Sequence, residues 1–375
     1  MPAATRHIYY FCPDTDLPYG GVKKIYQHVD LLNKLGHRAY VVHNQFGFRC
    51  SWFQNKTPLA YIMGPNEPLA VSKEGVNNEF LPQFSKHDVL VVPEMMAYDI
   101  VPHASKHGLF CVIFNQGAYL TFRPIPFPQG VVNAGEPELP SPYEDPNLLG
   151  VFVVSEDSED YLRFAFPALK IFRIHNALDT EIFSFQGEKK KQIAYMPRKC
   201  PEDIRQIVHL IRQRGLLKDW DFISIGNMTE KEVAQVLRDS AIFMSTSYEE
   251  GCPLPPQEAL LCGCIVIGYD GGGGREYLKE PYAYTIQQGD IVLFAQAIEQ
   301  VALNFDVDRN FYMKRAKAAR DFIAKEYSAE KEQKEIKHAW NTILQQLNAK
   351  TRSRKKQAAD RSARPLRRKV TGYEG

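Results

Sequence analysis

One rhythm governs the chain and occurs twice: a short apolar run, a turn rich in glycine or proline, an amphipathic stretch, then another apolar run. Residues 7–12 are apolar and aromatic, and 13–21 are dense in turn formers. Val22, Ile25, Tyr26, Val29, Leu32 and Leu35 follow at helical spacing, and Gly36 ends the pattern. Residues 39–43, 89–93, 110–115, 150–155 and 170–174 read as further strands, with a helix over 156–164. After Asn176 the rhythm restarts. Strands are expected at 192–196, 221–225, 241–245 and 265–269. Helices are expected at 201–212, 230–237, 254–261, 274–278, 291–303, 309–325 and 329–347. Alternation of this kind builds open parallel sheets covered by helices on both faces.

The expected fold is therefore α/β, with two Rossmann-like domains facing across a cleft. The first spans 1–176 and the second 192–328, joined by a linker over 177–191 that holds Gly187 and the charged run 188–191. A terminal helix over 329–349 and a basic tail over 350–375 complete the chain. The 375 residues suffice for two such domains. Ligands of open α/β sheets bind at the carboxyl ends of the strands, which places a ligand in the cleft. The proline-rich stretch 122–146 is long for a connection in a compact domain and is expected to be functional or mobile.

Composition excludes several classes. Apolar residues at 44% and charged residues at 24% are those of a globular protein, not of a collagen-like, disulfide-stapled or mostly disordered one. No apolar run approaches the ~18–20 residues of a membrane-spanning helix. Residues 1–10 lack the apolar core of a secretory leader. The seven cysteines are odd in number and scattered, which fits buried free thiols and a cytoplasmic setting. The formal charge of +2 conceals an asymmetry, because the tail from Lys350 holds ten basic and two acidic residues. Such a tail is expected to be disordered. It reads either as a solubilising extension or as a peripheral contact with an anionic membrane face. Nucleic acid is disfavoured as its partner, because no stacking aromatics are interleaved with the charges.

The densest chemistry lies between Ser245 and Cys264. Pro253, Pro255 and Pro256 keep Glu250 out of the following helix, since proline is tolerated only in its first turn. Glu250 is then expected on the loop after a strand and Glu258 near a helix start, both toward the cleft. A helix start supplies N–H groups and a positive dipole end for a phosphate. A carboxylate beside it can bind the paired hydroxyls of a ribose, and the other carboxylate the hydroxyls of a sugar. The spacing alone leaves a second reading open, in which Glu258 caps its own helix and Glu250 is a solvated loop residue.

The run Glu250-Gly-Cys-Pro-Leu-Pro-Pro-Gln-Glu258-Ala-Leu-Leu-Cys-Gly-Cys264 resembles the signature of the retaining glycosyltransferases of family 4, the group 1 transferases of GT-B fold. Other stretches resemble that family in the same order. These are Tyr19-Gly20-Gly21-Val22, Val153-Val154-Ser155, and Ile174-His175-Asn176-Ala177-Leu178-Asp179. Then come the strand end Ile193 to Lys199, the run Asp239 to Ser245, and the turn Gly271 to Glu276. The resemblance ends near Lys350.

It implies catalytic roles for Glu250, against the transferred sugar, and for Arg198, against charge building on the leaving diphosphate. It implies donor binding by Gly20, Gly21, Lys199, Gly251, Cys252, Leu254 and Glu258, with Glu258 on the ribose. Asn115 and Gln116 stand where relatives often carry a histidine, and are expected to contact sugar or acceptor. The chain departs from the family at Pro253, often a glycine, and at Lys199, which directly follows the arginine. No metal and no cofactor are expected, the nucleotide-sugar being a substrate. The implied partners are a nucleotide-sugar donor and a sugar or lipid-linked acceptor, in polysaccharide or glycolipid synthesis. An epimerase of the same fold and a non-catalytic sugar-nucleotide scaffold are the alternatives.

Weaker motifs read as structure. Asp14 and Asp16 are expected in turn chemistry, Cys262 and Cys264 in the core, His175 in a linker hydrogen bond, and Gly271–Gly274 in a turn near the donor. The aromatic stripe over 120–127 is expected to line an acceptor groove or to pack its own loop.

Overall fold

The computed structural model describes residues 6–62, 84–125 and 140–363, with side chains as far as 354. In the first half the strands are β1 (His7–Phe11), β2 (Arg38–His43), β3 (Leu59–Tyr61), β4 (Val89–Pro93), β5 (Phe110–Asn115), β6 (Leu148–Val153) and β7 (Ile171–Arg173). The helices between them are α1 (Gly20–Lys34), α2 (Ala97–Lys106) and α3 (Glu156–Ala165). The strands form one parallel sheet in the order β3-β2-β1-β4-β5-β6-β7. β4 and β5 are buried at every residue, as strands covered on both faces must be. The apolar stripe of α1 (Val22, Ile25, Tyr26, Val29 and Leu32) is the face it buries.

The second half holds β8 (Lys190–Tyr195), α4 (Pro201–Arg214), β9 (Asp221–Ser224), α5 (Glu230–Asp239), β10 (Ser240–Glu250), α6 (Leu254–Cys262), β11 (Ile265–Gly272) and β12 (Ala283–Thr285). Its parallel sheet runs β12-β11-β10-β8-β9. Three helices follow, α7 (Ile291–Phe305), α8 (Arg309–Glu326) and α9 (Ala329–Ala363). Local chemistry starts the helices where the sequence places them. Thr229 and Glu232 form a reciprocal capping box at α5, and Ser155 and Asp290 cap α3 and α7.

Several expectations are corrected. The linker 177–191 is shorter than read, because β8 already begins at Lys190 inside the charged run. Residues 274–278 form turns rather than a short helix, held by Gly274 N–H donating to Asp270 O at 2.9 Å. The short edge strands β3 and β12 and the helix α2 went unread.

The tail is corrected most. α9 continues without a break through Ala363. Residues 350–363 contain no glycine or proline and are rich in Lys, Arg and Ala, so nothing stops the helix. The first turns are also fastened to the body. Lys350 Nζ donates to Pro146 O at 2.6 Å, and Arg354 donates to Gly108 O at 3.1 Å. The Arg354 guanidinium lies 4.3 Å from the centre of the Phe110 ring. Residues 364–375, and residues 126–139 of the proline-rich stretch, lie outside the described residues.

α9 follows the second sheet in sequence yet packs on the first. Trp340 is fully buried, with its ring 6.4 Å from Tyr10 and 5.9 Å from Phe152. The chain thus crosses between the domains twice. Direct contacts also bridge them: Arg275 pairs with Asp157 at 3.0 Å, and Arg173 reaches Glu276, which also accepts from Tyr327 of its own domain.

Candidate active site

The carboxyl ends of both sheets meet through two glycine turns. β1 leads to Gly20 and Gly21, which open α1. Tyr19 at its N-cap offers no side-chain cap to the first N–H groups. A Cβ at Gly20 would lie 2.8 Å from Leu254 Cδ1, at the start of α6 in the other domain. A Cβ at Gly21 would lie 3.0 Å from Gln116 Oε1. Gly251 is pressed closer still. A Cβ there would strike the Gln116 carbonyl and lie 2.9 Å from Gly117 Cα, so only glycine permits the two main chains to meet.

Glu250 ends β10, one step earlier than the loop position expected for it. Its Oε1 lies 2.6 Å from Lys199 Nζ, and both side chains are partly exposed. Thr246 Oγ1 donates to Lys199 O at 3.2 Å, which fixes the end of the β8 segment against β10. The neighbours of this pair carry left-handed backbone without being glycine, Glu249 at φ 52° and Cys200 at φ 44°. Such conformations cost about 1–3 kcal/mol each and persist where surroundings impose them. Arg198 turns away from Glu250 toward the other domain, its guanidinium 5.5 Å from the centre of the Tyr19 ring. Among the described residues it makes no ion pair.

Glu258 lies within α6, whose first turn holds Pro255 and Pro256 as anticipated. It does not cap that helix. Burial, reinforced by the charge of Glu230, raises its carboxyl to about 7, while Lys23 and Lys24 pull the other way. Lys23 pairs with Glu230 across the cleft. Buried Lys24 donates to Glu332 Oε1 at 3.1 Å and to Ala177 O at 2.5 Å, tying α1 to α9 and to the start of the linker. Cys252 is buried, and its sulfur accepts from Gln257 Nε2 at 3.4 Å. Burial pushes its thiol well up, so it stays protonated.

Of the two amides expected near sugar or acceptor, only Gln116 reaches the cleft. Its side chain donates to Gly21 O at 3.2 Å. Asn115 is fully buried behind it, with Nδ2 donating to Thr121 Oγ1 at 3.0 Å and to Tyr143 Oη at 2.8 Å.

Sequence reasoning missed Glu94. It follows β4 directly, is 5% exposed, and accepts the Gln116 N–H at 3.1 Å. Burial raises its carboxyl to about 7. The signal was available: a carboxylate immediately after an all-apolar strand end. Sequence reasoning also missed the clasp of Tyr119, Asp157 and Arg275 beside Gly272. No local signal could have revealed it, because it joins the two domains.

The weaker motifs fall into place as structure. Asp14 accepts from the Asn44 and Gln45 N–H groups and faces His43 Nδ1 at 2.9 Å. Cys262 and Cys264 are buried. His175 Nδ1 lies 2.9 Å from Glu335 Oε1. The Phe122 ring sits 5.9 Å from Phe166 at the end of α3, so that part of the aromatic stripe lies against this helix. Among the described residues no cluster of three metal-ligating side chains occurs, and no helix is long and apolar enough to cross a membrane. Two surface cavities of about 490 and 390 Å³ lie at residues 186–190 and along α8, away from the glycine turns.

Comparison with known proteins agrees with the two-domain fold. An α-1,6-glucosyltransferase of Actinobacillus pleuropneumoniae serotype 7 (strain AP76) is 27% identical over 235 residues. That match covers 60% of this chain and 66% of the relative, so the chain spans just under two thirds of the relative's length. Two solved structures share the fold. Sucrose-phosphate synthase of Thermosynechococcus elongatus matches with TM-score 0.60 and 14% identity, over 93% of this chain and 98% of its own. Anabaena HepE in complex with UDP-glucose matches with TM-score 0.57 and 14% identity, over 92% and 99%. The two parallel-sheet domains are those of GT-B glycosyltransferases, and residues 202–322, which include Glu250 and Glu258, match the family model described as "Glycosyl transferases group 1".

Proposed function

We propose that the protein is a retaining glycosyltransferase of family 4 type, moving a hexose or deoxyhexose from a nucleoside diphosphate sugar to a hydroxyl acceptor. The observation that carries the reading is the meeting of Gly20–Gly21, Gly251 and the Lys199–Glu250 pair at the ends of two facing sheets. The N-terminus of α1 and the cations Arg198 and Lys199 surround the place where a diphosphate would lie. Glu258 is assigned to the ribose hydroxyls and Glu250 to the sugar. UDP-glucose is the first donor to try, because a structural neighbour is complexed with it and a relative is named a glucosyltransferase.

The chemistry follows from charge. The bond from the sugar carbon to the phosphate oxygen breaks, and negative charge gathers on the departing diphosphate. Fixed cations and N–H groups stabilise that charge more in the transition state than in the ground state. The acceptor oxygen bonds to the same face of the carbon, and its proton passes to a phosphate oxygen of the leaving group. Lys199, paired with Glu250, is then also a partner for the diphosphate of a bound donor.

Residues 355–375, with seven basic and two acidic residues, are proposed as a peripheral contact with an anionic membrane face. Lys350 and Arg354 anchor the preceding helix at the amino ends of β5 and β6, the edge opposite the glycine turns. Such docking would leave the cleft open on the far side.

A thermal-shift panel of nucleotide sugars tests the function. A ligand at 100 times its Kd stabilises by about 2.7 kcal/mol. Stabilisation by nucleoside diphosphate sugars, followed by acceptor-dependent release of the diphosphate, is expected. Turnover of the sugar nucleotide without acceptor would instead identify an epimerase.

A further inference from the structure

We propose that Glu94 is a positioning residue of the donor site: through Gln116, its carboxylate sets the spacing between the Gly20–Gly21 turn and the Gly251 turn. This rests on the glycosyltransferase reading of those turns.

Gln116 is held on three sides. Its N–H donates to Glu94 Oε2, its side chain donates to Gly21 O, and its carbonyl abuts Gly251 of the other domain. Only the first tether comes from an ionisable group. Any displacement of Gln116 moves both a turn of its own domain and the surface on which the second domain seats. Glu94 is buried, and among the described residues it has no cationic partner within ion-pair distance. A carboxylate kept in such a place without a cation is costly, and stability alone would favour a neutral or apolar side chain.

The titratable group facing it is the Tyr143 phenol, whose own titration is pushed up by burial and further by the Glu94 charge; Tyr98 of α2 stands next to Tyr143 in turn. With burial holding the Glu94 carboxyl at about 7, its charge changes within the working range of an enzyme. Ionised, it grips the Gln116 N–H by a charge-assisted bond; protonated, it holds that group only as a neutral acceptor. The bond from the Gln116 N–H lowers the Glu94 carboxyl against the effect of burial, so breaking it with Glu94 still buried would raise that carboxyl further, and the tether tightens as pH rises through about 7.

Glu94→Gln tests this, because glutamine keeps the shape and one acceptor oxygen while removing the charge. The first readout needs no substrate: amide hydrogen exchange of the segment around Gln116, corrected for intrinsic rates, between about pH 5.5 and 8.5. The wild type should gain protection with rising pH, and Glu94→Gln should not. The second is the pH profile of kcat/KM with a nucleotide sugar and a hydroxyl acceptor. Glu94→Gln should be about tenfold slower than wild type near pH 8 and should converge with it in acid, the size of one charge-assisted hydrogen bond. Glu258 is present in both proteins, so its own titration cancels in the comparison. Equal protection and equal kcat/KM near pH 8 would overturn the proposal. Protection lost in Glu94→Gln while wild type turns over no nucleotide sugar would support the tether and refute the donor reading. Should Glu94→Gln fail to fold, pH-independent protection of the wild-type segment overturns the proposal by itself.

Discussion

Gly251→Ala isolates the meeting of the two domains from the folding of either. The glycine is not in the left-handed region, so alanine fits its backbone without strain. The added Cβ meets no atom of its own domain among its three nearest neighbours. It meets the main chain of the other domain: the Gln116 carbonyl oxygen, Gln116 C at 2.7 Å and Gly117 Cα at 2.9 Å. Ordinary contacts of this kind begin at 3.4 Å, and main chain cannot swing aside. The domains must separate locally by about 1 Å, and a misplacement of that size costs roughly 10²-fold in rate. That is about 3 kcal/mol on the barrier. Steady-state kinetics should show the loss in kcat/KM, while the thermal midpoint without ligand moves little. Gly187→Ala in the linker is the control, since its Cβ meets nothing closer than Phe185 Cε1 at 3.7 Å. Equal activity of Gly251→Ala and wild type would refute the view that this contact belongs to the working arrangement.

Three further outcomes are expected. Glu258→Ala should weaken free nucleoside diphosphate binding in calorimetry, whereas Glu250→Ala should chiefly lower kcat and leave that binding nearly intact; equal loss of binding with turnover kept would reverse the assignment. Arg198→Ala should lower kcat by roughly 10²–10³, with only partial rescue by lysine, and wild-type kinetics would place Arg198 outside the donor site. Truncation after Arg354 should leave the thermal midpoint and turnover on a soluble acceptor unchanged but abolish salt-sensitive co-sedimentation with anionic vesicles. Truncation after Ala349 should also lower the midpoint, because it removes the grip of Lys350 and Arg354 on the first domain. Vesicle binding that survives truncation after Arg354 would remove the tail from that role.

The two sheets were legible because parallel strands are buried on both faces and leave continuous apolar text, as in residues 89–93 and 110–115. The three-residue edge strands β3 and β12 leave too little pattern to read. The tail was misread for a physical reason. Low hydrophobicity and high charge describe a segment that cannot build a core of its own. They do not forbid it from extending a helix held elsewhere, and α9 is held by Trp340 and Ile343 in the first domain's core. Extension adds one hydrogen bond per residue fixed, while nucleation has already been met upstream.

The site was legible in halves. Glu250, Gly251 and Lys199 announce one candidate wall, and Gly20 and Gly21 the other, because each sits just where a strand ends or the next helix begins, while Glu258 within α6 is read from its spacing to Glu250. What joins the walls left no side-chain pattern. Gly251 meets Gln116 through main chain, and glycine is informative there only by what it lacks. The clasp between Arg275 and Asp157 spans 118 residues, and neither partner stands in a motif that names the other. Gln116 itself reads as a substitute for a histidine near the sugar. The structure also fastens it to Glu94 and to the Gly21 turn, with its carbonyl against Gly251 of the opposing domain. An amide suits that position better than an imidazole would: its donor and acceptor are fixed at every pH, so the only titrating member of the tether is Glu94 behind it.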